Sequence, residues 1–462
     1  MFKIKKLENF AVIESLDDIL ELKDLTIFMG DNSSGKSYLA MLINSIVNMS
    51  RGYSESDFLK AISSKFKSTL FLKKLEKSIS DCMEQENNNL LLTFNETDML
   101  DFKEIITFSI NEYLIKKYLT FVLFEKHNLD EIEIELNNLD KFLPKMLLIT
   151  NIHKNERRTM AFTVDNDSKI STTFQDDTPK KIISDIAFQT LISGLIEITV
   201  RKTLPLNSVY LPASRTGFLQ TYKSLSNDAI MSNFSNKKNE EKHTLSVIVR
   251  FFITQLNTAT SFEENKFAEF IENFIMNGKV DIYKDSNEID FKLKDGSKIN
   301  LNYLSSTVSE LIPLVVFLKR GLIKKDGLLV IEEPEAHLSF KNQKLVAKLI
   351  ATLLQNKIKV LITTHSDFLI YEFNNLIMRN EILKNKGKLS DVEFNFDDKV
   401  AIDYKKVSLY NFILNNDKSR ISRIKINRSG IQSKYIFDST YSVTKEKNKL
   451  LDILDNIDAN NF

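Results

Sequence analysis

The sequence predicts an α/β fold: a mixed sheet with parallel core strands and helices, a helical insert and a small antiparallel β region. Three observations predict it. An apolar run at 25–29 (LTIFM) ends at Gly30 and is followed by a helical pattern over 37–49, with Leu39, Leu42, Ile43 and Ile46 on one face. From residue 305 the pattern runs helix, strand 328–332, helix 339–356, strand 358–363, helix 366–378. That is the order of parallel strands joined by crossover helices. Residues 279–303 (VDIY, IDFKL, INLNY) alternate between turn signals and read as an antiparallel meander.

The other segments follow in order. Residues 2–13 supply one or two strands. Residues 54–150 are mostly charged helical stretches, such as 58–80 and 102–125, with a strand-like LLLTF at 90–94. No heptad persists beyond about three repeats, so a long coiled coil is not expected. One or two hairpins are expected at 146–175, a helix at 180–203, and a short strand at 209–211 ending in Pro212. The polar run 219–242 reads as an exposed loop, and 244–277 as helical. The last eighty residues hold two or three strands and a final helix at about 444–456.

Composition narrows the function classes. The chain has 462 residues, 43% of them hydrophobic, enough for two or three domains. Lys and Arg total 63 against 62 Asp and Glu, so no global basic field favours nucleic acid, and DNA contact rests on a local patch. Cys82 is the single cysteine, which excludes an internal disulfide and a cysteine-based zinc site and fits a reducing cytoplasm. The opening MFKIKKLENF has no apolar core after its charges, and no run of eighteen apolar residues occurs. The expectation is a cytoplasmic protein without a membrane span.

Four motifs carry chemistry. Gly30-Asp31-Asn32-Ser33-Ser34-Gly35-Lys36-Ser37 matches the phosphate-loop pattern G-x-x-x-x-G-K-[ST], between an apolar strand and a helix. Its glycines let backbone N–H groups turn inward around phosphates, and the helix N-terminus adds favourable dipole charge. Lys36 is placed to reach the β- and γ-phosphates and Ser37 to ligate Mg²⁺. In Leu328-Leu329-Val330-Ile331-Glu332-Glu333-Pro334-Glu335-Ala336-His337-Leu338, an apolar strand runs into paired carboxylates. That puts the acids at the sheet's C-terminal edge, Glu332 for the metal shell and Glu333 to polarise the attacking water. Val360–Thr364 leads into His365 at a strand tip, where a neutral imidazole can hydrogen-bond the γ-phosphate or the water. Leu304-Ser305-Ser306-Thr307-Val308-Ser309-Glu310 opens the helix before the acid strand. These hydroxyls fit an anion-binding cap, or an ordinary capping box with Thr307 as cap and Glu310 three residues on.

The order phosphate loop, LSS-x-x-x-E, IEEPEAHL, TTHS resembles the ABC-type ATPase core of SMC-like and OLD-family (overcoming lysogenisation defect) proteins, with the double Glu and PEAHL of the OLD-like branch. The resemblance implies ATP and Mg²⁺ as cofactors, ATP hydrolysis, and a head-to-tail pair of copies. Ser305 and Ser306 then cap the γ-phosphate bound to the opposite copy. The family's signature glycine is Thr307 here. The stretch 209–217 (VYLPASRTG) also resembles a recurrent segment of such ATPases, with Arg215 at the nucleotide edge or as a structural arginine. The resemblance covers 1–50 and about 205–378. It divides the chain into a first half of the ATPase core (1–53), a mostly helical insert (54–204), a second half with signature, acids and histidine (205–380), and a C-terminal α/β extension (381–462). The extension has no D-x-D at an apolar strand end, and Asp397-Asp398 and Asp452–Asp458 lack that context. The expectation is a stand-alone ATPase without a Toprim nuclease, resembling the ATPase subunits of PARIS-type or Septu-type phage-defence pairs whose effector is a second protein. The alternative is an SMC-like DNA-repair or DNA-organising ATPase, against which the short insert counts.

Overall fold

The computed structural model describes residues 1–48, 56–84, 89–114, 130–154, 156–175, 177–213, 215–221, 247–257, 264–283, 288–385 and 400–431. The helix expected near 444–456, most of the polar run 219–242, and the acids Asp397-Asp398 and Asp452–Asp458 lie outside these residues. The chain forms two compact units, one of residues 12–18, 22–40 and 209–462, the other of 1–11, 19–21 and 41–208.

The first unit is built on strands in the order Ser208–Leu211, Leu328–Glu332, Lys359–Thr364, Leu25–Gly30, Val407–Asn415, Lys418–Ile424, Ile13–Leu16. Leu328–Glu332 pairs parallel with Lys359–Thr364 (Ile331 opposite Ile362), which pairs parallel with Leu25–Gly30 (Ile362 opposite Ile27). Every residue of Leu328–Glu332 is buried, as expected of a parallel strand covered on both faces. One face carries Leu25, Ile27, Leu329, Ile331, Val360 and Ile362 into a core with Val315, Phe317, Ile350, Leu353 and Phe373. Those partners come from the helices Ser306–Lys319, Phe340–Gln355 and Asp367–Lys384, each started by a serine N-cap, Ser305, Ser339 or Ser366. The meander forms as expected, with Gly278–Ile282, Ile289–Leu293 and Lys298–Ile299 antiparallel.

The C-terminal region differs from expectation in one respect. Val407–Asn415, in the segment read as an extension, pairs parallel with the phosphate-loop strand, Leu409 opposite Ile27 and Phe412 opposite Gly30. It turns back through Asn416 and Asp417, both in the left-handed region, into antiparallel Lys418–Ile424. Ile13–Leu16 then adds in parallel (Ser419 opposite Ile13).

The second unit pairs Phe2–Phe10 antiparallel with Glu131–Leu136. Lys5 pairs with Glu133 and Glu135 across the strands, and Lys6 with Glu131. The strand expected at 90–94 and the hairpins expected at 146–175 join in one four-stranded antiparallel sheet, Asn89–Thr93, Met146–Lys154, Arg157–Val164 and Ser168–Gln175. The helix expected at 58–80 is two, Ser56–Phe66 and Leu70–Glu84. The break is local: the Thr69 hydroxyl and amide both donate to Phe66 O, closing a turn. Asn95 and Asp98 form a capping box that starts Glu96–Phe108. Lys180–Thr203 is long and apolar enough to cross a membrane by length and composition. It is also a core helix of this unit: Leu191, Ile192, Leu195 and Ile196 are buried, and it packs on Leu70–Glu84 and Ser168–Gln175.

Candidate functional site

Three adjacent parallel strands deliver the motif residues to one edge. Leu25–Gly30 ends in the phosphate loop, Leu328–Glu332 in the acids, and Lys359–Thr364 at His365. The loop needs its glycines at both ends. Gly30 has φ +137°, and a Cβ there would lie 2.4 Å from Phe412 O. Gly35 has φ +94°, and a Cβ there would lie 2.8 Å from Ile13 Cγ1. Ser33, at φ 61°, completes the left-handed turns that curl the backbone inward. Asp31, Asn32 and Ser33 are exposed, whereas Ser34, Gly35 and Lys36 are buried.

The Lys36 ammonium donates to Gly30 O at 2.8 Å and Asp31 O at 2.6 Å, with Ser34 Oγ at 3.4 Å. Burial pushes it below its ordinary pKa, opposed by the charges of Glu333, Asp31, Glu335 and Glu332. Lys36 therefore sits at the mouth of the loop with four carboxylates around it.

Glu332 closes the strand and is 5% exposed. Its carboxylate accepts from the Tyr210 hydroxyl and from the Ala213 N–H at 3.2 Å. Burial raises its pKa, and hydrogen bonding to the carboxylate acts against the rise. Desolvation, followed by the charge of Glu332, pushes the Tyr210 phenol well above its ordinary range. Glu333 continues the ladder by donating its N–H to Thr363 O at 2.9 Å, then turns out at φ 42°. Its side chain is a third exposed, and its Oε1 is 3.8 Å from His365 Nδ1. Glu335, buried, accepts from the Thr364 hydroxyl at 2.6 Å and the His365 N–H at 3.1 Å. His365 Nδ1 is also 3.8 Å from Glu335 Oε1. The imidazole thus stands between two carboxylates, its backbone fixed by one of them.

Arg215 is 2% exposed. Nε donates to Glu310 O, Nη1 to Pro212 O and Glu332 O, and Nη2 to Glu333 O, at 2.7–3.2 Å. Glu310 Oε2 lies 2.8 Å from Nε. The guanidinium is committed to the frame behind the acids, which is the structural alternative and not the exposed nucleotide edge. The hydroxyl motif also differs from the capping box considered for it. Ser305, not Thr307, caps the helix, accepting from Val308 N–H at 3.4 Å. Thr307 donates to His337 O at 2.7 Å. Glu310 is buried and takes Arg215 and the Thr216 hydroxyl (2.6 Å) as partners. A buried carboxylate needs such partners more than a helix start needs a second cap. Ser305 and Ser306 are exposed.

Sequence reasoning did not single out Tyr210, Glu335 or Thr364 for the site. Glu335 stood in the acid motif without a role, and Tyr210 carried the one usable signal, a phenol in an otherwise apolar strand.

The residues present fit a nucleoside triphosphate with a divalent ion. The loop offers inward-turned backbone and a desolvated ammonium for phosphates. Ser37 and Glu332 supply oxygen donors of the kind Mg²⁺ takes. Among the described residues no group of three or more His, Cys, Asp or Glu forms a metal cage.

A phosphate loop and an acid pair on parallel strands of one sheet, with a single strand between them, define a P-loop ATPase. Residues 3–370 match the family model described as AAA ATPase domain, and the chain belongs to that family. It is accordingly an ATPase, of a family that uses ATP with a divalent metal. No curated protein matches the chain. Among solved structures it is similar to the SMC head domain from Thermotoga maritima, at 12% identity and a TM-score of 0.32, over 92% of this chain and 98% of that one. It is also similar to the Pyrococcus furiosus Smc head domain with an extended coiled coil bound to the C-terminal domain of ScpA. There the identity is 13% and the TM-score 0.37, over 97% of this chain and all of that one.

Proposed function

We propose that the chain binds ATP–Mg²⁺ on 30–37 and hydrolyses it by activating water between Glu333 and His365. The observation that carries this is the delivery of Lys36, Ser37, Glu332 and the Glu333–His365 pair to one edge of three adjacent parallel strands. Lys36 binds and neutralises the β- and γ-phosphates. Ser37 and Glu332 hold Mg²⁺, which screens charge on the transferred phosphoryl group. Glu333 takes the proton of the attacking water. His365 orients that water or the γ-phosphate, its main chain held by Glu335. Lys36→Ala abolishes ATP retention, and Glu333→Gln retains ATP without releasing phosphate. Normal phosphate release by Glu333→Gln removes Glu333 from the role of base.

The proposal extends to assembly and biology. The exposed Ser305 and Ser306 complete the ATP site of a second copy, so ATP drives a head-to-tail pair. Mixing Lys36→Ala with Ser306→Arg chains leaves at most one working site per pair, and ATPase turnover by a strict monomer rejects the arrangement. The ATP state acts as a sensor or scaffold that controls a separate effector such as a nuclease, in OLD-like, cytoplasmic anti-phage defence. The helical insert at 54–150 is the surface for trigger or effector. The protein itself cuts no DNA: incubation with plasmid, Mg²⁺ or Mn²⁺ and ATP leaves the plasmid intact. Cleavage that co-purifies with the wild-type chain overturns this reading.

A further inference from the structure

Gly35 and Ser34 are held from outside the motif by the C-terminal hairpin. The Ser419 hydroxyl, fully buried, donates to Ser34 O at 2.7 Å. The Ser419 N–H donates to Val12 O at 2.8 Å. Val12 and Ile13 in turn occupy the space beside Gly35, 2.8–3.3 Å from where a Cβ would stand. One residue therefore fixes both the carbonyl before Gly35 and the wall against which Gly35 packs.

The direction of that carbonyl matters chemically. In a trans peptide the C=O and the following N–H point opposite ways, and no cis bond occurs among the described residues. Fastening Ser34 O to Ser419 therefore turns the Gly35 N–H away from the hairpin. Ser34 Oγ faces the Lys36 ammonium at 3.4 Å, so the two polar ends of Ser34 are divided between hairpin and loop. Without Ser419 the buried Ser34 carbonyl loses its partner, and a peptide flip that rotates the Gly35 N–H out of the loop becomes cheap.

We infer that Ser419 is a positioning residue for nucleotide binding: it locks the Ser34–Gly35 peptide so that the Gly35 N–H is presented to the bound phosphates. This rests on the assignment of 30–37 as the phosphate site. It makes the hairpin Val407–Ile424 a working part of the ATPase.

The test compares Ser419→Ala with Ser408→Ala. Ser408 is an equally buried serine on the adjacent strand, whose Oγ is 3.2 Å from Thr26 Oγ1, away from the loop. ATP–Mg²⁺ affinity, kcat, KM and Tm are measured on the full chain. Ser419→Ala raises the KM and Kd for ATP about fivefold to tenfold, the effect of one buried hydrogen bond, and leaves kcat within about twofold. Ser408→Ala lowers Tm comparably and leaves KM unchanged. Ser419→Cys, of similar size with a weak donor, falls between wild type and alanine and serves where alanine does not fold. Equal KM shifts in the two alanine variants, or wild-type KM in both Ser419 variants, overturn the inference. Lys36→Ala is run beside them. If it loses ATP while Ser419→Ala does not, the inference alone fails. If Lys36→Ala binds ATP normally, the phosphate-site assignment fails and takes the inference with it.

Discussion

Tyr210 and Glu332 are hydrogen-bonded at the edge of the sheet, phenol to carboxylate, with both side chains buried. The Ala213 N–H reaches the other oxygen of the same carboxylate. The acid therefore enters the site oriented by two donors from the short strand Ser208–Leu211 and the turn after it.

Tyr210→Phe removes one donor and keeps the ring. Glu332 then rotates more freely and presents its oxygens to Mg²⁺ less often. The Mg²⁺ concentration for half-maximal ATPase activity rises roughly tenfold, corresponding to about 1.5 kcal/mol for a hydrogen bond to a charged group. A metal titration at saturating ATP measures it. An unchanged midpoint shows that Ala213 suffices to orient the carboxylate.

Gly30 tests the junction between loop and hairpin. With φ +137° and Phe412 O only 2.4 Å from where a Cβ would stand, alanine meets both strain and a backbone clash. Gly30→Ala loses stability of order 1–3 kcal/mol from the dihedral alone, with the clash added, and loses ATP retention. Gly217→Ala is the control, since nothing lies within 4 Å of its Cβ position. It leaves Tm within a few degrees. Thermal denaturation of the two variants side by side decides the matter.

The strands that carry the site were legible because parallel strands covered on both faces read as unbroken apolar runs, and their chemistry follows at once in sequence. Leu25–Gly30, Leu328–Glu332 and Lys359–Thr364 all have this form. Val407–Asn415 does not, since VSLYNFILN is followed by no motif, and nothing local says that it lies beside the phosphate-loop strand. Neighbour order in a sheet depends on long-range pairing, which leaves no periodicity to read. The same limit hid the partners of the acids. Tyr210 is far from Glu332 in sequence and Arg215 far from Glu310, and each pair forms only when both elements fold. Arg215 illustrates the cost of reading a charge as a ligand. Its burial and four carbonyl acceptors, not its type, place it in the frame.

Arg215→Met isolates that frame. It leaves Glu310 buried with only the Thr216 hydroxyl, and it strips a donor from the carbonyls of Glu332 and Glu333. Removing one partner of a buried ion pair costs about 3–5 kcal/mol. Adding Glu310→Gln removes the stranded charge, so the double variant is destabilised by less than the sum of the singles. Urea unfolding of the four proteins gives the cycle. A variant Arg215→Lys with normal stability but lost ATP affinity returns the arginine to the nucleotide.

Glu332 gives a pH dependence with a definite sign. Burial raises its folded-state pKa above that of the unfolded chain, where a glutamate titrates near its ordinary value. The folded protein therefore holds the proton more tightly. The stability contributed by this group is fully present below the unfolded pKa and is lost as pH rises through the folded pKa. In the proposed role of Glu332 as a metal ligand, the charged form is the one that binds the cation. Glu332→Gln cannot titrate there, so its stability relative to wild type depends on pH through this one group. The difference in Tm, variant minus wild type without divalent metal, is largest at neutral pH and shrinks as pH falls toward 5. Fixed effects of the substitution, such as an amide facing the Ala213 N–H, shift the whole curve and leave its slope alone. A difference that grows as the pH falls contradicts the raised pKa. Excess Mg²⁺ with ATP reverses the order at neutral pH, because only the wild-type carboxylate gains a cation.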